Sequence, residues 1–220
     1  LGGIDLNLKH EINQLKEKAS KRSNTEIKAI MTDATENLKK QEIEKNALQF
    51  GDKIPEFTLS NATGENISIY NLLAQGPLIL NFYRGAWCPY CNLELNAYQA
   101  ILPQIKEMGG NLVAISPELP DHSLSLSEKL SLDFEILSDL NNDVARQFGL
   151  VFKLDEKLVP LYKKMGIDLS LSQGNENEEL PVPATYVVDK EGIIVLAHVE
   201  SDYTQRLEPE DALKAIGKII

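Results

Sequence analysis

Apolar and polar positions along the chain fall into two regimes. Over residues 1–48 the apolar positions recur at helical spacing. Leu8, Ile12, Leu15 and Ala19 share one face of a first helix, and Ile27, Ile30, Met31, Ala34 and Leu38 line a second. Ser20-Lys21-Arg22-Ser23-Asn24 is the polar break between them, and Thr25 can cap the second helix. Such a pair cannot bury both stripes alone, so it packs on the main domain or on a second copy in a homodimer.

From Gly51 onward the period shortens. Phe57-Thr58-Leu59-Ser60 and Ile67-Ser68-Ile69, joined by Asn61-Ala62-Thr63-Gly64-Glu65, read as a short hairpin. Pro77-Leu78-Ile79-Leu80 reads as a buried strand, and Leu95, Tyr98, Leu102 and Ile105 mark a helix soon after it, which Pro103 is expected to kink or end. A buried strand at Asn111–Ser116, a helix over 122–131, a strand at Phe134–Ser138 and a short helix over 142–148 follow. Residues 155–165 read as a helix with Pro160 as a break, and 172–179 as a polar loop. Tyr186-Val187-Val188 and Ile193-Ile194-Val195-Leu196, across Asp189-Lys190-Glu191-Gly192, predict a hairpin, and Glu208–Ile219 a closing helix. Strands alternating with helices, then a hairpin and helix, predict an α/β sheet covered on both faces.

The chemistry concentrates where the central strand meets its helix. Asn81-Phe82-Tyr83-Arg84-Gly85-Ala86-Trp87-Cys88-Pro89-Tyr90-Cys91 holds the only two cysteines of the 220 residues. Pro89 suits the first helical position, which puts Cys88 at the N-cap and Cys91 in the first turn. Free N–H groups and the helix dipole favour a thiolate there. A free cysteine of pKa about 8.5 is only a few per cent thiolate at neutral pH, and lowering it by about two units makes it mostly thiolate. One sulfur attacks and the other closes a disulfide. Exposure and helix-dipole geometry favour Cys88 as the attacker of bulky disulfides. Half of a zinc site is the competing reading, but it needs two further ligands, and His10, His122 and His198 stand singly. Inert buried thiols are the third.

Totals change the picture little. The net charge is −11, and residues 1–50, with 9 basic and 8 acidic side chains, do not share in it. An acidic main domain argues against nucleic acid and anionic membrane as partners. No apolar run reaches transmembrane length, and Leu1-Gly2-Gly3 shows neither the basic nor the apolar part of a leader. Two cysteines in one short motif are unlike a secreted disulfide framework, so the expected location is cytoplasmic.

These residues resemble the peroxiredoxin-like (alkyl hydroperoxide reductase/thiol-specific antioxidant, redoxin) branch of the thioredoxin superfamily. Gly51-Asp52-Lys53-Ile54-Pro55-Glu56-Phe57-Thr58-Leu59 is similar to the entry of that domain. Asn81 to Cys91 is similar to its active-site strand and loop, and Val182-Pro183-Ala184-Thr185-Tyr186-Val187-Val188-Asp189 to the thioredoxin-type proline loop. The resemblance implies a thioredoxin-like fold over 49–220, a mixed central sheet flanked by helices with an N-terminal hairpin, and leaves 1–48 as a helical extension. It implies a cis Val182–Pro183 bond beside the cysteine pair. It also implies a departure. The family places a Pro seven residues, and a Thr or Ser three residues, before the peroxidatic Cys. Set on Cys91, those positions are Arg84 and Cys88, and the family's second arginine falls near Pro183. Arg84 can supply a guanidinium near the thiolate. Arg206 is a second candidate, read first as a structural ion pair. Asn81 stands near the place of thioredoxin's buried acid, and Trp87 reads as a shield beside Cys88.

The function implied is a thiol-dependent peroxidase reducing hydrogen peroxide or organic hydroperoxides through Cys88 and Cys91, with Arg84 and Pro183 completing the site. Its register favours Cys91 slightly as the sulfur that meets peroxide. Thioredoxin, glutaredoxin or glutathione would reduce the disulfide, and no metal, flavin or haem is required. A thiol–disulfide oxidoreductase acting on protein disulfides, or a non-enzymatic redox sensor, remains the alternative.

Overall fold

Leu78–Phe82, an unbroken apolar run apart from Asn81, is buried at every position and anchors the sheet. A strand buried on both faces needs partners on both edges and helices above and below. The computed structural model describes residues 7–220; the readings made on residues 1–6, including the start Leu1-Gly2-Gly3, lie outside them. The elements run α1 Leu8–Arg22, α2 Thr25–Lys39, α3 Ile43–Asn46, β1 Thr58–Asn61, β2 Asn66–Ser68, α4 Ile69–Leu73 and β3 Leu78–Phe82. Then come α5 Pro89–Glu107, β4 Asn111–Ser116, α6 Pro120–Leu130, β5 Glu135–Ser138, α7 Asp143–Gln147 and β6 Val151–Lys153. The chain closes with α8 Leu158–Lys164, α9 Leu169–Gln173, β7 Glu179–Pro181, β8 Ala184–Val188, β9 Ile194–Val199 and α10 Pro209–Ile216.

Among the described residues seven strands form one mixed sheet in the order β2-β1-β5-β4-β3-β8-β9. β3, β4 and β5 run parallel, while β1 and β8 join antiparallel. The register sets Asn81 opposite Thr185, and the Asn81 amide donates to the Thr185 hydroxyl at 3.0 Å. One face of the sheet packs Leu80, Phe82, Val113, Ile115 and Tyr186 against Phe148. On another, Ile79, Leu112 and Val187 meet Tyr98, Leu102 and Ile105 of α5 and Ala212 and Ile216 of α10.

Several local expectations give way to tertiary packing. Pro103 does not end its helix: α5 continues to Glu107. The lost hydrogen bond, about 3 kcal/mol, is outweighed because Ile101, Leu102 and Ile105 around it are all buried. Pro160 does not break α8; it sits in the first turn, where its missing N–H has no intrahelical partner to lose. The cap of α2 is Asn24, whose side chain accepts from the Ile27 N–H at 2.8 Å, and Thr25 is already helical. The polar loop expected over 172–179 is shorter, because α9 runs to Gln173 and β7 begins at Glu179 to pair with β6 in a separate ribbon. The Val182–Pro183 bond is not cis, since no peptide bond among the described residues is. The Val182 N–H is held by the Leu150 carbonyl at 2.8 Å and the Pro183 carbonyl accepts from Glu200 at 3.4 Å, so the backbone passes from β7 into β8 between two sets of partners.

The first two helices pack on the same chain. Leu8 and Ile12 join a cluster with Tyr83, Tyr90 and both cysteines. The Glu208 carboxylate accepts from the Leu8 and Lys9 N–H groups at 3.2 and 2.8 Å, placing negative charge at the positive end of α1. Ala34 of α2 is buried with Leu154, Leu158, Leu161 and Tyr162. No helix among the described residues is long and apolar enough to cross a membrane.

Ile12→Ala removes a side chain from this cluster at a site 5 % exposed and should cost about 2–4 kcal/mol in urea unfolding. A loss below about 0.5 kcal/mol, the range of a surface substitution, would show that α1 does not dock in solution.

Candidate active site

The joint between β3 and α5 builds the site from local rules. Tyr83 continues the sheet, its N–H bonded to the Ile115 carbonyl at 3.0 Å. The chain then turns at Gly85, with φ +148°, where a Cβ would lie 2.4 Å from Trp87 Nε1 and 2.9 Å from the Glu118 carboxylate. Only glycine fits that turn. Glu118 is buried there because the Ala86 N–H donates to its Oε2 at 2.7 Å. Cys88 is the N-cap of α5 and Pro89 its first residue, as the spacing predicts.

Both sulfurs are buried, Cys88 at 1 % and Cys91 at 0 %, so Cys88 is not the more exposed sulfur that its cap position suggests. Tyr90, Trp87 and the N-terminal helices cover the joint. What separates the two is access: Cys88 lines a cavity of about 300 Å³ and Cys91 does not. The Cys91 thiol donates to the Cys88 sulfur across 2.7 Å.

Burial pushes the Cys88 thiol up. The hydrogen bond from Cys91, the guanidinium groups of Arg84 and Arg206 and the Cys91 backbone N–H outweigh it, and the pKa falls from the ordinary 9 to about 6. Cys91 moves the other way, well above the ordinary value, through burial and then the neighbouring Cys88. The arrangement is a thiolate beside a protonated thiol.

Two arginines hold that charge. Arg84 donates to the Tyr162 hydroxyl at 2.5 Å, and its guanidinium carbon lies 4.6 Å from the Tyr203 ring centre, 4.9 Å from Trp87 and 5.8 Å from Tyr162. Its Nε is buried and has no partner among the described residues. Arg206 donates from Nη2 to Cys91 Sγ at 3.4 Å, and its Nε lies 2.8 Å from Glu94 Oε2 with both side chains buried. Arg206 thus makes the structural ion pair expected of it, and the same side chain also reaches the sulfur.

The buried acid that Asn81 does not supply comes from the helix. Glu94, one turn beyond Cys91, accepts from Thr185 at 3.4 Å. Burial raises its pKa to about 7 against the pull of Arg206. Burial likewise raises Glu118 to about 7. Glu94 stands three positions after Cys91, and that spacing was the one signal in the sequence that could have found it. Glu118, Tyr162 and Tyr203 come from distant segments and had none. Trp87 stacks edge-on against Tyr162 at 5.6 Å and lines the same cavity as Cys88. Pro183 lines a second cavity, of about 90 Å³, with Arg84, Tyr162 and Tyr203; that lining includes neither cysteine. The structure therefore places Arg84 and Cys88 in one cavity lining, Cys91 in hydrogen-bond contact with Cys88, and Pro183 with Arg84 in the second lining.

A family model described as AhpC/TSA matches residues 50–197. The chain is 30% identical over 105 residues to peroxiredoxin Bcp of Escherichia coli strain K12, spanning 48% of this chain and 67% of that one. A protein of Mycobacterium tuberculosis named as a peroxiredoxin is 31% identical over 114 residues, 52% of this chain and 74% of its own length. Among solved structures, peroxidoxin BcpB of M. tuberculosis superposes with a TM-score of 0.62 at 22% identity, covering 79% of this chain and 99% of that one. The Xanthomonas campestris bacterioferritin comigratory protein, whose structures are described in terms of alkyl peroxide reduction, gives 0.58 at 16%, covering 76% and 98%. At these identities the structural likeness speaks for the thioredoxin-type fold.

Thiolate absorbance near 240 nm should rise in the reduced protein with a midpoint of about 6, because a lowered thiol pKa leaves the thiolate present above it. Arg84→Leu should move that midpoint up by about one pH unit or more. A single wild-type midpoint near the ordinary 9 would contradict the electrostatics of the site.

Proposed function

The chain belongs to the AhpC/TSA family, and on that premise we propose a thiol-dependent peroxidase in which Cys88 attacks the peroxide and Cys91 resolves the product. The observation that carries this assignment is the cavity: it brings together the low-pKa Cys88 sulfur and the Arg84 guanidinium. The order of the two sulfurs reverses the one that the family register implies.

The Cys88 thiolate displaces alkoxide or hydroxide from the O–O bond. The sulfur is oxidised to sulfenic acid, the peroxide is reduced to alcohol or water, and the leaving oxygen takes a proton from solvent. The unspent Nε donor of Arg84 suits an oxygen carrying developing charge. The Cys91 thiol then gives up its proton, its sulfur attacks Cys88, and the sulfenic oxygen leaves as water. With 2.7 Å between the sulfurs, closure needs no refolding of α5. Two thiol groups restore the pair, supplied by one dithiol such as reduced thioredoxin or by two glutathione molecules; thioredoxin, glutaredoxin or glutathione would serve, in a cytoplasmic setting.

Exchange with protein disulfides draws support from the Cys-x-x-Cys pair itself. Burial of both sulfurs among α1 and the aromatic residues favours a small peroxide over a protein disulfide as oxidant.

Exposing single serine variants to one equivalent of hydrogen peroxide with a sulfenic-acid trap tests the assignment. Cys91→Ser should consume peroxide rapidly and carry the adduct on Cys88, while Cys88→Ser should lose rapid consumption. An adduct on Cys91, formed rapidly in Cys88→Ser, would restore the family register. Faster oxidation of the wild type by an insulin-like disulfide than by peroxide would favour disulfide exchange.

A further inference from the structure

The helices α1 and α2 lie ahead of the segment that the family model matches, yet they build part of the chamber over Cys88. Leu15 of α1 and Ile27 and Met31 of α2 form one side of the 300 Å³ cavity; Trp87, Met165 and Ile167 form another, and Cys88 with Arg84 belongs to the same lining. We infer that α1 and α2 are the selectivity wall of the site: they receive the apolar body of an organic hydroperoxide while its O–O group meets Cys88. This rests on the peroxidase reading above and adds to it the residues, outside the segment the family model matches, that set the preference among peroxides.

The first support is size. A site needs only about 10–15 Å³ of such volume to hold one water, so the cavity is far larger than a molecule of two oxygens needs. Its volume instead reaches the lower end of ordinary small-molecule pockets. The second is polarity. The wall offers side chains of Leu, Ile and Met, with polar groups such as Ser20, Lys28 and Thr32 also in the lining. Cys88 and Arg84 supply the cavity's polar end, and Arg84 Nε is a buried donor without a partner among the described residues. An apolar body with one polar, oxygen-bearing end matches that division. Hydrogen peroxide has no body to bury and gains nothing from the wall. Each methylene buried there should improve capture roughly fourfold.

Trp87 is the only tryptophan of the sequence and lines the cavity, so its fluorescence reports occupancy without any turnover. The reduced protein is titrated with 2-phenylpropan-2-ol, the unreactive alcohol corresponding to cumene hydroperoxide. Single-turnover oxidation is then timed with cumene hydroperoxide and with hydrogen peroxide. Saturable binding is expected. In Met31→Ala the ratio of the cumene hydroperoxide to the hydrogen peroxide rate constant should fall about tenfold, and further in Met31→Asp. Leu171→Asp, at an exposed position on α9 outside the lining, should keep the wild-type ratio. Because Met31→Ala only removes contacts, it keeps the test decisive if Met31→Asp fails to fold. Absence of saturable binding, or equal ratios in wild type and Met31→Ala, would overturn the inference even with hydrogen peroxide reduced normally. A wild type that neither peroxide oxidises would instead overturn the peroxidase reading, and the inference with it.

Discussion

A negative charge on a buried sulfur is the constraint around which this molecule is arranged. An isolated ion in an apolar interior costs far more than folding can spare. Here the cost is offset at close range. The Cys91 thiol donates to Cys88 from 2.7 Å, Arg84 sits within a ring of aromatic faces, and Arg206 bridges Cys91 and Glu94. Each partner stabilises the charged form of Cys88, and burial together with the charge on Cys88 keeps Cys91 protonated against the pull of Arg206. Together they separate the two sulfurs into a thiolate and a protonated thiol.

The fold exists at this point to hold four chain segments in register. β3 delivers Arg84 and the turn at Gly85; α5 delivers both cysteines and Glu94; α8 brings Tyr162; and the segment after β9 brings Tyr203 and Arg206. The parallel pairing of β3 with β4 also sets Glu118, just past β4, against the Ala86 N–H. Helices α1 and α2 close the remaining side. Their apolar stripes therefore do two things at once: they bury against the main domain and they line the approach to Cys88.

What was legible in the sequence is what is local. The apolar run before Asn81, Pro89 after Cys88 and the i, i+3 and i+4 spacing from Leu95 determine a strand, a cap and a helix within one stretch. The ribbon of β6 and β7 was not legible, because three-residue strands 25 positions or more apart leave no periodic signal and Pro181 argues against a strand. Arg206 lies 115 residues from Cys91, so nothing in its neighbourhood distinguishes it from a surface cation. The proline at 103 does not end its helix for the opposite reason: a strong local stop signal gives way to the packing of α5 between sheet and α10. The cis bond expected at Pro183 came from family likeness, and the backbone partners of Val182 and Pro183 accommodate another geometry.

The pH dependence of the second-order rate of hydrogen peroxide with Cys91→Ser isolates the chemistry of Cys88 most directly. If the clamped thiolate is the nucleophile, the rate rises with pH through one ionisation, then holds level to pH 9. Serine replaces the thiol donor with a hydroxyl donor and leaves both guanidinium groups, so the break stays well below the ordinary thiol value of 9. A rate that climbs steadily to pH 9 without a break would contradict the account, since the buried sulfur would then be an ordinary thiol.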